Sequence, residues 1–144
     1  MKILALELVA TRRYGEILDF VVSGRSLYND LVKLGHDLVP RTGPVLVPTD
    51  TDTRELLLLE RHGDTPRGRV ALYLCPICGG IGCGVVSVRI SSDGSTFTWE
   101  DFALEFDYID EDTDGFQILP KLGPYRFEAE QYSQALVRGP GSSP

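Results

Sequence analysis

The sequence predicts an α+β domain: an antiparallel sheet with two or three short helices packed on one face. Three observations lead there. The chain has 144 residues, 42% of them hydrophobic, enough to build one core and to bury about two-thirds of the surface an unfolded chain exposes. Its apolar segments alternate between short β-rich runs and helix-spaced ones in the order β-β-α-α-β-β-β-α, the second helix reading almost as well as a strand. Between two of the β-rich runs stands Ser92-Asp93-Gly94-Ser95, a hairpin signal that makes the strands it joins antiparallel.

Residues Lys2 to Ala10 are apolar apart from Lys2 and Glu7 and read as a largely buried strand. Thr11 to Gly15 form a turn, and Ile17, Leu18, Phe20, Val21 and Val22 resume a β-rich run, so the first two segments form a hairpin. Ser26 or Ser23 caps a short helix whose Leu27, Leu31 and Leu34 recur at helical spacing, with Gly35 as its stop. Pro40, Pro44 and Pro48 exclude regular structure beyond a short edge strand around Val45 to Val47. Thr51 or Thr53 caps a second helix running to Glu60, although its four consecutive leucines, Leu56 to Leu59, suit a buried strand nearly as well.

After a turn at Arg61 to Pro66, Arg69 to Leu74, Val85 to Ser91 and Thr96 to Phe106 give three successive strands. The last element is a helix from about Phe127 to Val137, with Ala129, Tyr132 and Leu136 on one face and Gly139-Pro140 as its terminator. Residues 1–138 are therefore expected to form a single domain and residues 139–144 a disordered tail.

Charge and cysteine content narrow the function. A net charge of −7 argues against a nucleic-acid partner, because binding to the phosphate backbone rests on a basic face. No apolar run approaches the roughly 18 residues of a membrane span, so no membrane partner is expected. All three cysteines lie between Cys75 and Cys83, too few and too close for a secreted disulfide framework. A reducing cytoplasmic setting follows as the expectation.

The segment Cys75-Pro76-Ile77-Cys78-Gly79-Gly80-Ile81-Gly82-Cys83-Gly84 joins two predicted strands. Its opening resembles one metal knuckle of zinc ribbons and rubredoxins, in which proline and glycine let backbone amides face two converging thiolates. A closed zinc site needs four ligands. Cys75, Cys78 and Cys83 supply three, and His62, on the loop entering the same strand, is a better fourth than His36. The same residues also admit a thiol redox pair, although the glycines that follow do not start the helix that would acidify a thiol. A third reading makes the cysteines reduced space-fillers where a glycine-rich loop packs closely.

From Val70 to Phe106, the Leu-Tyr-Leu-Cys-Pro-Ile-Cys-Gly-Gly-Ile-Gly-Cys-Gly core and the downstream Phe97-Thr98-Trp99-Glu100-Asp101-Phe102 resemble an uncharacterised family of small bacterial proteins with a CPxCGxxGCG loop, sometimes labelled oxidoreductases. The resemblance covers about a quarter of the chain and implies kinship of fold. It transfers no catalytic residue.

Eight of the 21 acidic residues fall between Glu100 and Asp114, where no basic residue occurs; 13 acidic and 14 basic residues remain for the rest of the chain. Asp110-Glu111-Asp112-Thr113-Asp114-Gly115 matches the first half of a calcium loop, but Lys121 stands where the bidentate glutamate belongs. Such a run is often plain solvation. Here Trp99, Phe102, Phe106 and Tyr108 interleave with the carboxylates, which suits docking on a basic protein.

The expected contact set is Trp99, Asp101, Phe102, Asp107, Tyr108, Asp110, Asp112 and Asp114. His62-Gly63-Asp64 is a turn rather than an acid-base pair, and no nucleophile or nucleotide motif accompanies it. The functional expectation is a non-catalytic protein-binding domain, an immunity or antitoxin factor for a basic protein. The alternatives are a small zinc module and a thiol oxidoreductase.

Overall fold

The computed structural model describes residues 3–12, 16–34, 39–40, 51–65, 67–74, 84–106 and 115–138. The fold is mixed α+β, as the patterning predicts. In chain order the elements are β1 (Ile3–Leu4), β2 (Leu6–Arg12), β3 (Glu16–Val22), β4 (Arg25–Ser26), α1 (Leu27–Lys33), β5 (Val39–Pro40), α2 (Thr51–Leu57), β6 (Val70–Leu74), β7 (Val85–Ser92), β8 (Thr96–Glu105), β9 (Phe116–Ile118), β10 (Tyr125–Glu128) and α3 (Ala129–Arg138). Gly35, the strand expected at Val45 to Val47, Gly139-Pro140 and the tail expected at 139–144 lie outside the described residues.

The strands form two sheets. The larger runs β1-β10-β8-β7-β6-β5, with β9 also paired to β8, and the smaller is β2-β3-β4. Among the described residues every pairing is antiparallel except β1 with β10. The first apolar run thus serves both sheets, changing over at Ala5. There the Ala5 amide donates to Ser23 Oγ at 2.9 Å and the Ser23 amide donates to the Ala5 carbonyl at 2.7 Å. Both backbone groups are satisfied where the strand breaks.

The helices form where capping and leucine spacing allow. Ser26 accepts the Asn29 amide as the N-cap of α1, and Leu27, Tyr28 and Leu31 are buried. The four-leucine run splits: Leu56 and Leu57 close α2 and are buried, while Leu58 and Leu59 form its exit, with Leu59 at φ +63°. The Glu60 amide bonds back to the Glu55 carbonyl at 2.8 Å, which satisfies a terminal carbonyl of the helix.

Tyr125 to Glu128 is a strand leading into α3 rather than the start of the helix. Ala129, Tyr132 and Leu136 do face inward from α3. One hydrophobic cluster unites both sheets and all three helices, with Phe20, Trp99, Phe127 and Tyr132 among its fully buried rings.

Candidate functional site

Strand β8 carries the first half of the acidic segment and decides what that segment presents. Its register against β7 shifts between Ser87/Ala103 and Arg89/Glu100, so Asp101 and Phe102 together oppose Val88. Asp101 takes φ +54° in this bulge, a left-handed conformation that Asp tolerates better than most residues. The extra residue moves the alternation by one position. Trp99 and Phe102, three apart in sequence, therefore enter the same core, with ring centroids 6.4 Å apart.

Trp99 is 0% and Phe102 1% exposed, which corrects their expected place in the contact set. They are core residues, and neither ring is available to a partner. Trp99 also packs edge-on against Phe20, Phe127 and Tyr132, and its Nε1 donates to Tyr132 Oη at 3.0 Å. Phe106, half-buried, is held against Gly84, where a Cβ would come within 2.7 Å of the ring.

The carboxylates of β8 are engaged locally. Arg89 lies 3.2 Å from Glu100 and 2.7 Å from Asp101, all on exposed or half-exposed side chains. Glu105 is fully buried: Arg67 Nη1 lies 3.3 Å from its Oε2 and Arg69 Nε 3.8 Å from its Oε1. Glu105 Oε1 accepts no hydrogen bond among the described residues. Arg69 donates to Ser87 Oγ at 2.9 Å and to the Asp101 carbonyl, and its own pKa is lowered chiefly by burial. Both guanidiniums sit over the Phe116 ring, at 5.3 and 4.9 Å, where the ring face favours cations.

Arg67 also reaches the Phe106 carbonyl at 3.4 Å, and the Phe106 amide bonds the Gly115 carbonyl at 2.8 Å. The two ends of segment 107–114 are thereby joined and fastened to the turn before β6. Asp107, Tyr108, Asp110, Asp112 and Asp114 lie outside the described residues.

Segment 75–83, with Cys75, Cys78 and Cys83, also lies outside the described residues. Its attachment points are described. Leu74 pairs with Val85, Val85 with Glu105, and Glu105 with Phe116, one row across β6, β7, β8 and β9. The cysteine segment and the acidic segment thus leave neighbouring strands at the same end of the sheet. His62, exposed, lies on the connection that enters β6 at its other end, Val70. Among the described residues no group of three or more His, Cys, Asp or Glu side chains gathers as metal donors. The His62 to Asp64 stretch is irregular, and the hydrogen-bonded turn follows it, where the Gly68 amide bonds the Thr65 carbonyl at 2.9 Å; Asp64 Oδ1 accepts the Ala71 amide at 3.1 Å, and a Cβ on Gly63 would strike the Gly68 carbonyl at 2.1 Å.

Two further clusters were not singled out in the sequence. Asp19, 3% exposed, accepts from Ser26 Oγ in a short bond and from Tyr73 Oη at 3.2 Å. Burial raises its pKa, and these bonds oppose the rise. Ser26 also accepts the Asn29 amide, so the pair fixes the start of α1 on β3. The available signal was a carboxylate, Asp19, within the apolar run Ile17 to Val22. The second cluster is a cavity of about 380 Å³ between α1 and the β9–β10 connection, with Arg25, Lys33 and Lys121 on its wall. No spacing motif links these three positions, since only the fold brings residues 25–34 to 121–125.

Among the described residues no helix is long and apolar enough to cross a membrane. Compared with protein-family models, curated protein sequences and solved structures, the chain has no match.

Proposed function

We propose that the protein is a non-catalytic binding domain that engages a basic partner protein through segment 107–114, in the manner of an immunity or antitoxin factor. The observation that supports this reading is the placement of five carboxylates between two joined strand ends. Glu100, Asp101 and Glu105 have arginine partners within the fold. The other five, Asp107, Asp110, Glu111, Asp112 and Asp114, fall between two strand ends joined by the Phe106–Gly115 bond.

Flanking residues that are already fixed lower the cost of presenting a segment to a partner, and concentrated like charge accelerates encounter with an opposite surface. The expected contacts are Asp107, Tyr108, Asp110, Asp112 and Asp114, with exposed Asp101 at the edge. Trp99 and Phe102 take no part.

Affinity capture from the native cell, at two salt concentrations, tests this. A basic protein should be retained at low salt, be weakened at high salt, and be lost when Asp107, Asp110 and Asp112 are all changed to Lys. Retention that ignores these reversals counts against the proposal.

A zinc module is the second reading. It is favoured by the register pairing of Leu74 with Val85, which starts and ends the cysteine segment on adjacent strands as a metal knuckle requires. Cys75, Cys78 and Cys83 are the ligands proposed for it, whereas His62 stands on the connection at the opposite end of β6. Metal analysis after purification without chelator should then return close to one zinc per chain, and less than about a tenth of an equivalent excludes a structural site.

A further inference from the structure

We infer that the cavity between α1 and the β9–β10 connection is a binding site for a small phosphomonoester with a planar apolar body. It measures about 380 Å³, within the range of small-molecule sites. Among the described residues Arg25, Lys33 and Lys121 face it against one carboxylate, Asp30, so that part of the wall carries two net positive charges in a chain whose net charge is −7. Arg25 Nε is fixed at 2.8 Å from Asp30 Oδ2. Lys33 and Lys121 are exposed and form no ion pair among the described residues. The two uncommitted ammoniums match a dianion, and a phosphomonoester carries about −1.5 to −2 near neutral pH.

The rest of the wall suits an apolar body. Tyr125 is half-buried, and its ring is held edge-on to Phe102 with centroids 5.6 Å apart. Its phenol is neutral near neutral pH and able to donate a hydrogen bond, and burial raises its pKa further. Leu122, 5% exposed, and Leu34 line the same space. Gly123, at φ +66°, leaves no room for a side chain, since a Cβ would lie 2.9 Å from the Phe102 ring. A second cavity of about 240 Å³ lies against the same Leu34 and Lys121 and is lined further by Gln117, Ile118, Leu119 and Pro120.

Titration of the isotopically labelled full chain with phenyl phosphate, followed by amide NMR, tests the assignment. Saturable shifts at residues 25–34 and 121–125 are expected, with Kd of about 1 mM or below. Inorganic phosphate should bind at least about tenfold more weakly, and phenol should not saturate at about 10 mM. The double change Lys33→Gln with Lys121→Gln, both on exposed positions, should weaken phenyl phosphate by at least about tenfold while moving the unfolding midpoint little. Absence of saturation at about 10 mM, shifts centred elsewhere, or affinity unmoved by the double change would each overturn the site. Equal binding of inorganic phosphate would overturn the requirement for a planar body.

Discussion

Asp19 and Asp93 are single carboxylates whose surroundings act in opposite directions on pH stability. Burial raises the Asp19 pKa above its ordinary 3.8, so the folded state holds that proton more tightly than the unfolded chain. Its contribution is most favourable at low pH and is lost as pH rises from about 3.8 through the folded value. Asp93 is the reverse case. Three donors, the Ser95 and Thr96 amides and Thr96 Oγ1, lower its pKa to about 2. Its contribution is present above 3.8 and disappears as pH falls toward 2. Urea unfolding across pH should therefore show Asp93→Asn removing part of the slope between about pH 2 and 4, and Asp19→Asn flattening the decline above about pH 4. Identical pH slopes in the wild type and in both variants would contradict these environments. Glu105 makes a third case. Changing it to Leu leaves Arg67 and Arg69 facing an apolar group, and a loss of about 2–4 kcal/mol is expected from denaturant unfolding.

At the scale of elements, the hairpin at Ser92 to Ser95, the cap at Ser26 and the three central strands were legible because each is written in adjacent residues. Turn chemistry and capping need no partner from elsewhere in the chain. β9 and β10 were not legible for the converse reason. Phe116 to Ile118 and Tyr125 to Glu128 are strands only because β8 offers its second edge to both and β1 pairs with β10.

The misplacing of Trp99 and Phe102 has the same origin. Rings interleaved with carboxylates mark a strand with one buried face, and the bulge at Asp101 disguises it by spacing the rings three apart instead of two. Of the glycines in the cysteine segment, Gly84 has a described reason, its contact with Phe106 at φ +94°. Gly84→Ala should cost about 1–3 kcal/mol through backbone strain and displacement of that ring. If thermal unfolding of this variant matches the wild type, the close contact between β7 and Phe106 is not a constraint on the fold.

For the whole molecule, the question is whether two sheets make one cooperative unit. The core answers it through contacts that cross between them: Phe20 of β3 lies edge-on to Tyr73 of β6 and to Trp99 of β8, each at 5.8 Å. Gln131 of α3 bonds both backbone groups of Leu6 in β2. Tyr132 of α3 accepts from Trp99 and donates to the Leu57 carbonyl at the end of α2, at 2.6 Å. One phenol thus joins the large sheet to two helices, in a buried setting where an unpaired polar group costs about 1–3 kcal/mol. Trp99 is the only tryptophan, so its fluorescence reports this junction, whereas far-UV circular dichroism reports all the regular structure. The two probes should give superimposable urea transitions in the wild type. Tyr132→Phe removes the hydroxyl but keeps the ring, so both probes should move together to lower urea by the equivalent of about 1–3 kcal/mol. If fluorescence shifted alone while the dichroism transition stayed in place, the small sheet would be folding independently of the junction, and the shared core would not couple the two sheets.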